Sequence, residues 1–140
     1  MEDQAKTIMI IEDESLLLEA IDRKLASRGY KTLPYVSAEE GLAHLQDTTH
    51  PLPDLIWLDY YLGGMDGGQF MVELKKDERL KNLPVIVVSN SASDQKKNNM
   101  IDLGVKAYIL KAQYKLDDII VLLENVLKDE SMQQVDSGGS

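Results

Sequence analysis

The 140-residue sequence contains no cysteine. That removes both a disulfide framework and a thiolate metal site, and it fits a reducing compartment. Also missing is any apolar run approaching the roughly 20 residues that a membrane-spanning helix needs. The acidic start Met1, Glu2, Asp3 has the wrong charge for a signal peptide, so the expected location is cytoplasmic. Basic residues are in short supply, with 15 Lys and Arg against 24 Asp and Glu, a net charge of -9 and a pI near 4.6. Such a surface repels phosphate backbones and anionic lipid, and a direct nucleic-acid or membrane role would require a local basic patch. None is present: Lys75 with Lys76 and Lys96 with Lys97 occur only as pairs, the pattern of solvated helix faces. Histidine is scarce as well. His44 and His50 fall in and after the second predicted helix and read as surface residues, so no histidine accompanies Ser89 for hydrolase chemistry.

What is present is enough apolar material, 44% of residues, for one well-buried core. Four short apolar runs, 8–11, 55–58, 85–88 and 107–110, do not alternate with polar residues. Both of their faces must therefore be covered, which is the pattern of interior strands in a parallel sheet. A fifth segment, 31–36, contains Pro34, which cannot donate a ladder hydrogen bond and so belongs on a sheet edge. Helical spacing predicts a first helix over 16–28 closed by Gly29, a second opened by a capping box from Ser37 to Glu40, and a third from about Gln69. A fourth helix over 93–103 has few apolar anchors before Met100 and Ile101 and is expected to be the least firmly docked. The last places Leu116, Ile119, Ile120, Leu123, Val126 and Leu127 on one stripe. Alternating strands and helices with right-handed crossovers give a doubly wound α/β fold, five parallel strands with helices on both faces. One domain over 1–128 is expected, and the polar stretch 129–140 reads as a flexible tail or linker stub.

In a doubly wound sheet the functional groups gather beyond the carboxyl ends of the strands. The first interior run ends in Glu12, Asp13 and Glu14, the second in Asp59, the third in Ser89 and the last in Lys111. Singly, each is an ordinary strand-end residue. Their agreement across four separate segments is what points to a site. Glu14 reads as a helix N-terminal acid stabilising the macrodipole, and Trp57, two residues before Asp59, as core.

These segments, together with Met65, Asp66, Gly67 and the stretch 104–111, resemble the receiver domains of two-component response regulators, over roughly 6–128. The resemblance implies a flavodoxin-like (CheY-like) sheet in the order 2-1-3-4-5. It implies that Asp59 is the phosphoacceptor and not part of an enzyme acting on other molecules. Gathered carboxylates repel one another by about 4 kcal/mol per pair at 4 Å in an effective dielectric near 20, so the cluster needs a cation. The resemblance makes that cation Mg2+, held by Asp13, Asp59, the backbone carbonyl of Tyr61 and, through water, Glu12. It assigns Ser89 and Lys111 to the phosphoryl oxygens and Tyr108 to a rotamer change that alters the face of the fourth helix, fifth strand and fifth helix. The implied partners are a histidine kinase or phosphotransfer protein, a downstream protein bound on that face, and a second copy of the chain.

Departures from the family pattern are Gly63 where proline is common, Asn90 where alanine follows the Ser or Thr, and Ala112 where proline follows the lysine. A cis bond before a non-proline costs roughly 2.5–4 kcal/mol, so the Lys111–Ala112 bond is expected to be trans. Tyr61 and Asn90 are bulkier than many residues at their positions and are expected to obstruct the hydrolytic water, lengthening the phosphoryl lifetime. A flavin binder is disfavoured because three acids stand where a phosphate would sit. The main alternative is a pseudo-receiver, an interaction module that keeps the fold without phosphorylation.

Overall fold

The computed structural model describes residues 5–90 and 93–139, with side chains through Glu130. Its order is β1 (Thr7–Ile11), α1 (Ser15–Ser27), β2 (Lys31–Tyr35), α2 (Ala38–Gln46), β3 (Leu55–Asp59), α3 (Gly67–Lys76), β4 (Val85–Ser89), α4 (Asp94–Asp102), β5 (Ala107–Leu110), a 3-10 turn (Lys111–Gln113) and α5 (Leu116–Gly139). All strand pairs are parallel and the sheet runs β2-β1-β3-β4-β5. Every residue of β3 and β4 is buried, as expected for strands covered on both faces. β2 is an edge strand, with Pro34 opposite Ile10, and β5 is the other edge: the run 107–110, expected to be interior, pairs on one side only, and Ala107, Tyr108 and Leu110 are half-buried.

Because successive strand residues point to opposite faces, the sheet divides the apolar side chains into two cores. Met9, Ile11, Ile56, Leu58, Val85 and Val87 pack beneath α2, α3 and α4 together with Leu42, Phe70, Leu74 and Met100. Ile8, Ile10, Leu55, Trp57, Ile86 and Val88 pack beneath α1 and α5 against Leu18, Ile21, Leu25, Ile120 and Leu123. Trp57 is thus core, and its indole Nε1 is buried with no acceptor in reach among the described residues.

The helix ends follow their punctuation with some differences. Gly29 takes φ 94° after α1, the left-handed conformation that glycine adopts without a Cβ penalty. The Ser37 side chain accepts the Glu40 amide at 3.1 Å, which is one half of the box expected there. The complete capping box lies elsewhere: Asp66 accepts from the Gln69 amide and Gln69 returns a bond to the Asp66 amide, both at 2.9 Å. α3 therefore begins at Gly67 rather than near Gln69, because two glycines hid the first turn from a reading based on apolar spacing. α5 continues to Gly139, past residue 128, and Glu130 pairs with Lys106 at 2.9 Å. Side chains beyond Glu130, in the stretch read as a tail, lie outside the described residues. The surface reading of His44 needs correction: it is partly buried, 2.6 Å from the Tyr35 hydroxyl through Nδ1, and stacked on His50 with centroids 4.2 Å apart.

A cap that satisfies two otherwise orphaned amides is worth about 1 kcal/mol. Asp66→Ala should lower the unfolding free energy by about that amount in urea titrations, with an unchanged slope. No shift in midpoint would show that the α3 start is held by packing alone.

Candidate functional site

The carboxyl ends of β1, β3, β4 and β5 converge on one rim of the sheet. β1 and β3 are adjacent with Ile11 opposite Leu58, so the residues that follow, Glu12 and Asp59, come side by side. β4 lies on the other side of β3 and delivers Ser89, and β5 lies beyond it and leads directly into Lys111. The placement is a consequence of strand order and register.

Glu12 and Asp59 are almost fully buried, at 1% and 5% exposure, and Ser89 is completely buried, whereas Asp13 is exposed. Glu12, Asp13 and Asp59 each offer a carboxylate oxygen within 4.8 Å of the others. Among the described residues one cation reaches the cluster: Lys111 Nζ stands 3.1 Å from Glu12 Oε1 and 3.4 Å from Asp59 Oδ2. Three acids against one ammonium leave an excess of negative charge, mostly out of water. Burial, then the charge of Glu12, push the Asp59 carboxyl up to about 6, and Lys111 only partly offsets them. For Lys111 burial works against the charged form, but Asp59 and Glu12 outweigh it and hold its pKa above the ordinary value. An all-oxygen ligand set with one side open to solvent is what a hard divalent cation requires.

The loop from β3 to α3 closes over the exposed side. The Gly63 amide donates to Asp13 Oδ2 at 3.4 Å, and the Met65 amide to Glu39 Oε2 at 2.9 Å, which ties the loop to the start of α2. The Met65 amide also holds the Glu39 carboxyl below its usual range. Gly64, at φ 79°, makes the reversal between them. The Lys111–Ala112 peptide is trans and opens the 3-10 turn, and Lys111 still reaches the cluster. Tyr108 is half-buried on β5, opposite Val87. Tyr61 and Asn90 are exposed. Sequence reasoning missed Glu39 and Lys96. The latter was read as part of a solvated face, yet its ammonium lies 5.4 Å from the Tyr61 ring and 5.7 Å from the Tyr60 ring. Neither contact leaves a local sequence signal, since each joins segments far apart in the chain.

The response regulator receiver domain model matches residues 8–124, the span that holds the sheet from Ile8 onward and every residue of the cluster. The chain belongs to this family. As a receiver domain of two-component response regulators it has curated relatives of two lengths. The phosphate regulon transcriptional regulatory protein PhoB of Pseudomonas aeruginosa is 30% identical over 123 residues, covering 88% of the chain and 52% of that protein. The receiver thus spans about half the length of this relative. The polar-differentiation response regulator DivK of Brucella ovis is 32% identical over 106 residues, 76% of the chain and 84% of DivK. Among solved structures, a CheY-like receiver domain protein from Methanospirillum hungatei superimposes with a TM-score of 0.83 at 23% identity, covering 93% of this chain and 99% of that one. The phosphorylated cyanobacterial phytochrome response regulator RcpA does so with a TM-score of 0.75 at 28% identity, covering 88% and 91%. The expected fold and strand order are those of the family.

A buried carboxylate whose pKa is raised in the folded chain costs stability. Unfolded, Asp59 ionises near 3.9; folded and metal-free, it ionises near 6. Raising the pH across that window progressively disfavours the native state, and below pH 4 the cost is absent. Asp59→Asn should therefore stabilise the metal-free receiver by about 2 kcal/mol above pH 7, allowing for solvent screening at the open side, with no gain at pH 3.5. Thermal melts of both chains across pH check it, and a pH-independent difference would contradict the assignment.

Proposed function

We propose that this receiver takes a phosphoryl group on Asp59 from the phosphohistidine of a kinase or phosphotransfer protein, in a Mg2+-dependent reaction. The observation that carries the reading is the buried Asp59 carboxylate held against Glu12, Asp13 and Lys111 at the carboxyl rim of the sheet. Burial of such a set without a cation is costly. Membership of the receiver family and likeness to the phosphorylated RcpA support the same reading.

Asp13, Asp59 and the Tyr61 backbone carbonyl would hold the Mg2+, with Glu12 acting through water. When bound, the ion neutralises charge on the carboxylates and on the incoming phosphoryl oxygens. An Asp59 oxygen forms the new bond to phosphorus while the P–N bond of the donor breaks, and the imidazole leaves with the bonding electron pair. Lys111, already 3.4 Å from Asp59, exchanges part of its carboxylate contact for a phosphoryl oxygen. The Ser89 hydroxyl, at the buried end of the neighbouring strand, donates to another. These contacts exist only after phosphorylation and draw the two loops that carry Ser89 and Lys111 toward Asp59. Tyr108 responds by a rotamer change that alters the face of α4, β5 and α5, where a downstream protein or a second copy docks. The presence of the acids, the hydroxyl and the lysine together argues against an interaction module that has lost phosphorylation.

Intact-mass measurement after treatment with a small phosphodonor and Mg2+ tests the reading directly. The wild-type chain should gain roughly 80 Da, one phosphoryl group, and Asp59→Asn should gain nothing. An adduct that persists in Asp59→Asn would move the acceptor elsewhere. Tyr61 and Asn90 border the acceptor and restrict access of the hydrolytic water. Tyr61→Ala should accordingly shorten the adduct's lifetime several-fold, followed as its decay after the donor is removed. An unchanged decay rate would assign the lifetime to other residues.

A further inference from the structure

α4 has the least apolar attachment of the helices. Of Asp94–Asp102 only Met100 is buried, and its neighbour Ile101 is 47% exposed. Its amino-terminal half is nevertheless engaged, through charge and aromatic rings rather than through a core. Lys96 Nζ lies 5.4 Å from the centroid of Tyr61 and 5.7 Å from that of Tyr60, and the two rings meet edge to face at 5.1 Å and 68°. Lys96 also hydrogen-bonds the Tyr61 side chain. From β5, Tyr108 is close enough to interact electrostatically with both Lys96 and Tyr60. One ammonium therefore faces two phenol rings of the loop after Asp59, and the charge distribution of a third, on the last strand, also acts on it. Ring faces carry negative potential and attract such a cation.

We propose that Lys96 is the positioning residue that docks α4 onto the loop following Asp59, so that the placement of the helix follows the conformation of that loop. Tyr60 and Tyr61 are the next two residues after Asp59 in the chain. Tyr60 is anchored further by its carbonyl, which accepts the Gly67 amide at 2.9 Å at the start of α3. A displacement of the backbone at Asp59 is thus passed to the tyrosine pair and, through Lys96, to α4. This route begins at the loop after Asp59 rather than at Ser89, and both routes reach the surroundings of Tyr108. The neighbouring Lys97 has the same charge but lines a cavity of about 190 Å³ that includes Tyr108, Gln113 and Tyr114, and among the described residues it makes no cation–ring contact with Tyr60 or Tyr61. The clamp needs no phosphorylation; only its use in signalling rests on the phosphoacceptor reading above.

Amide hydrogen exchange of residues 94–102 in the unphosphorylated chain tests it, because a helix with a small core contact opens locally and its protection follows the remaining tethers. Lys96→Met should accelerate exchange in α4 about two- to fivefold, the range expected for loss of an exposed cation–ring contact. Lys96→Arg should retain protection. Tyr61→Phe, which keeps the ring and removes the hydroxyl, should give a smaller acceleration, and adding it to Lys96→Met should produce no further effect. Lys97→Met is the control and should leave the rate unchanged. Equal rates in wild type and Lys96→Met, or the same acceleration from Lys97→Met, would overturn the clamp. Repeating the set in Asp59→Asn separates the two ideas: exchange that still depends on Lys96 there keeps the clamp, whatever becomes of phosphorylation.

Discussion

The rest of this structure depends on a concentration of negative charge at the end of a buried sheet. Glu12 and Asp59 are held almost out of water with Asp13 beside them, and Lys111 is the one ammonium that contacts them among the described residues. In isolation such a group of acids would repel itself apart or take up protons. The backbone prevents the first, since adjacent strands β1 and β3 fix the acids in register. The raised pKa of Asp59 records the second. Stability is therefore given up at the site and recovered in the two cores on either side of the sheet, where β3 and β4 are buried along their whole length. The same arrangement keeps the carboxylate of Asp59 poorly solvated, as the proposed phosphoacceptor role requires.

The helices divide into two kinds. α1 and α5 are fixed by the core around Trp57 and by ion pairs between them, with Lys24 2.7 Å and Arg28 3.5 Å from Asp117. α2 and α3 are fixed by the second core and by their caps. α4 shares that second core through Met100 and otherwise relies on polar and aromatic contacts. A helix held in this way can shift without breaking the core beneath it, which suits a helix that packs on β5, the strand of the proposed switch residue Tyr108.

Much of the fold was legible because it rests on local patterns. Unbroken apolar runs marked the interior strands β1, β3 and β4, Pro34 marked one edge, and Gly29 marked the end of α1, whereas the run 107–110 formed the other edge. The cluster was legible for a related reason: in this topology the end of a strand is also a place in space, so residues such as Glu12, Asp59, Ser89 and Lys111 could be brought together on paper. What stayed hidden depends on side-chain reach across distant segments. Lys96 reads as solvent-facing until α4 is laid beside Tyr60 and Tyr61, and His44 reads as surface until Tyr35 is placed next to it. The start of α3 was missed because Gly67 and Gly68 carry no apolar signal, although Asp66 and Gln69 held the capping spacing.

Gly63 changes how one departure from the family pattern is to be understood. A Cβ at this position would meet nothing within 4 Å, so bulk is not what selects glycine there. Its backbone N–H, however, points at Asp13 Oδ2. Proline, the common residue of the family at this point, has no N–H and could not make that contact. The difference between this chain and a typical relative is then one of hydrogen-bonding capacity: here the loop offers its own N–H to one oxygen of Asp13, and a ligand that needed that same lone pair would have to displace the loop.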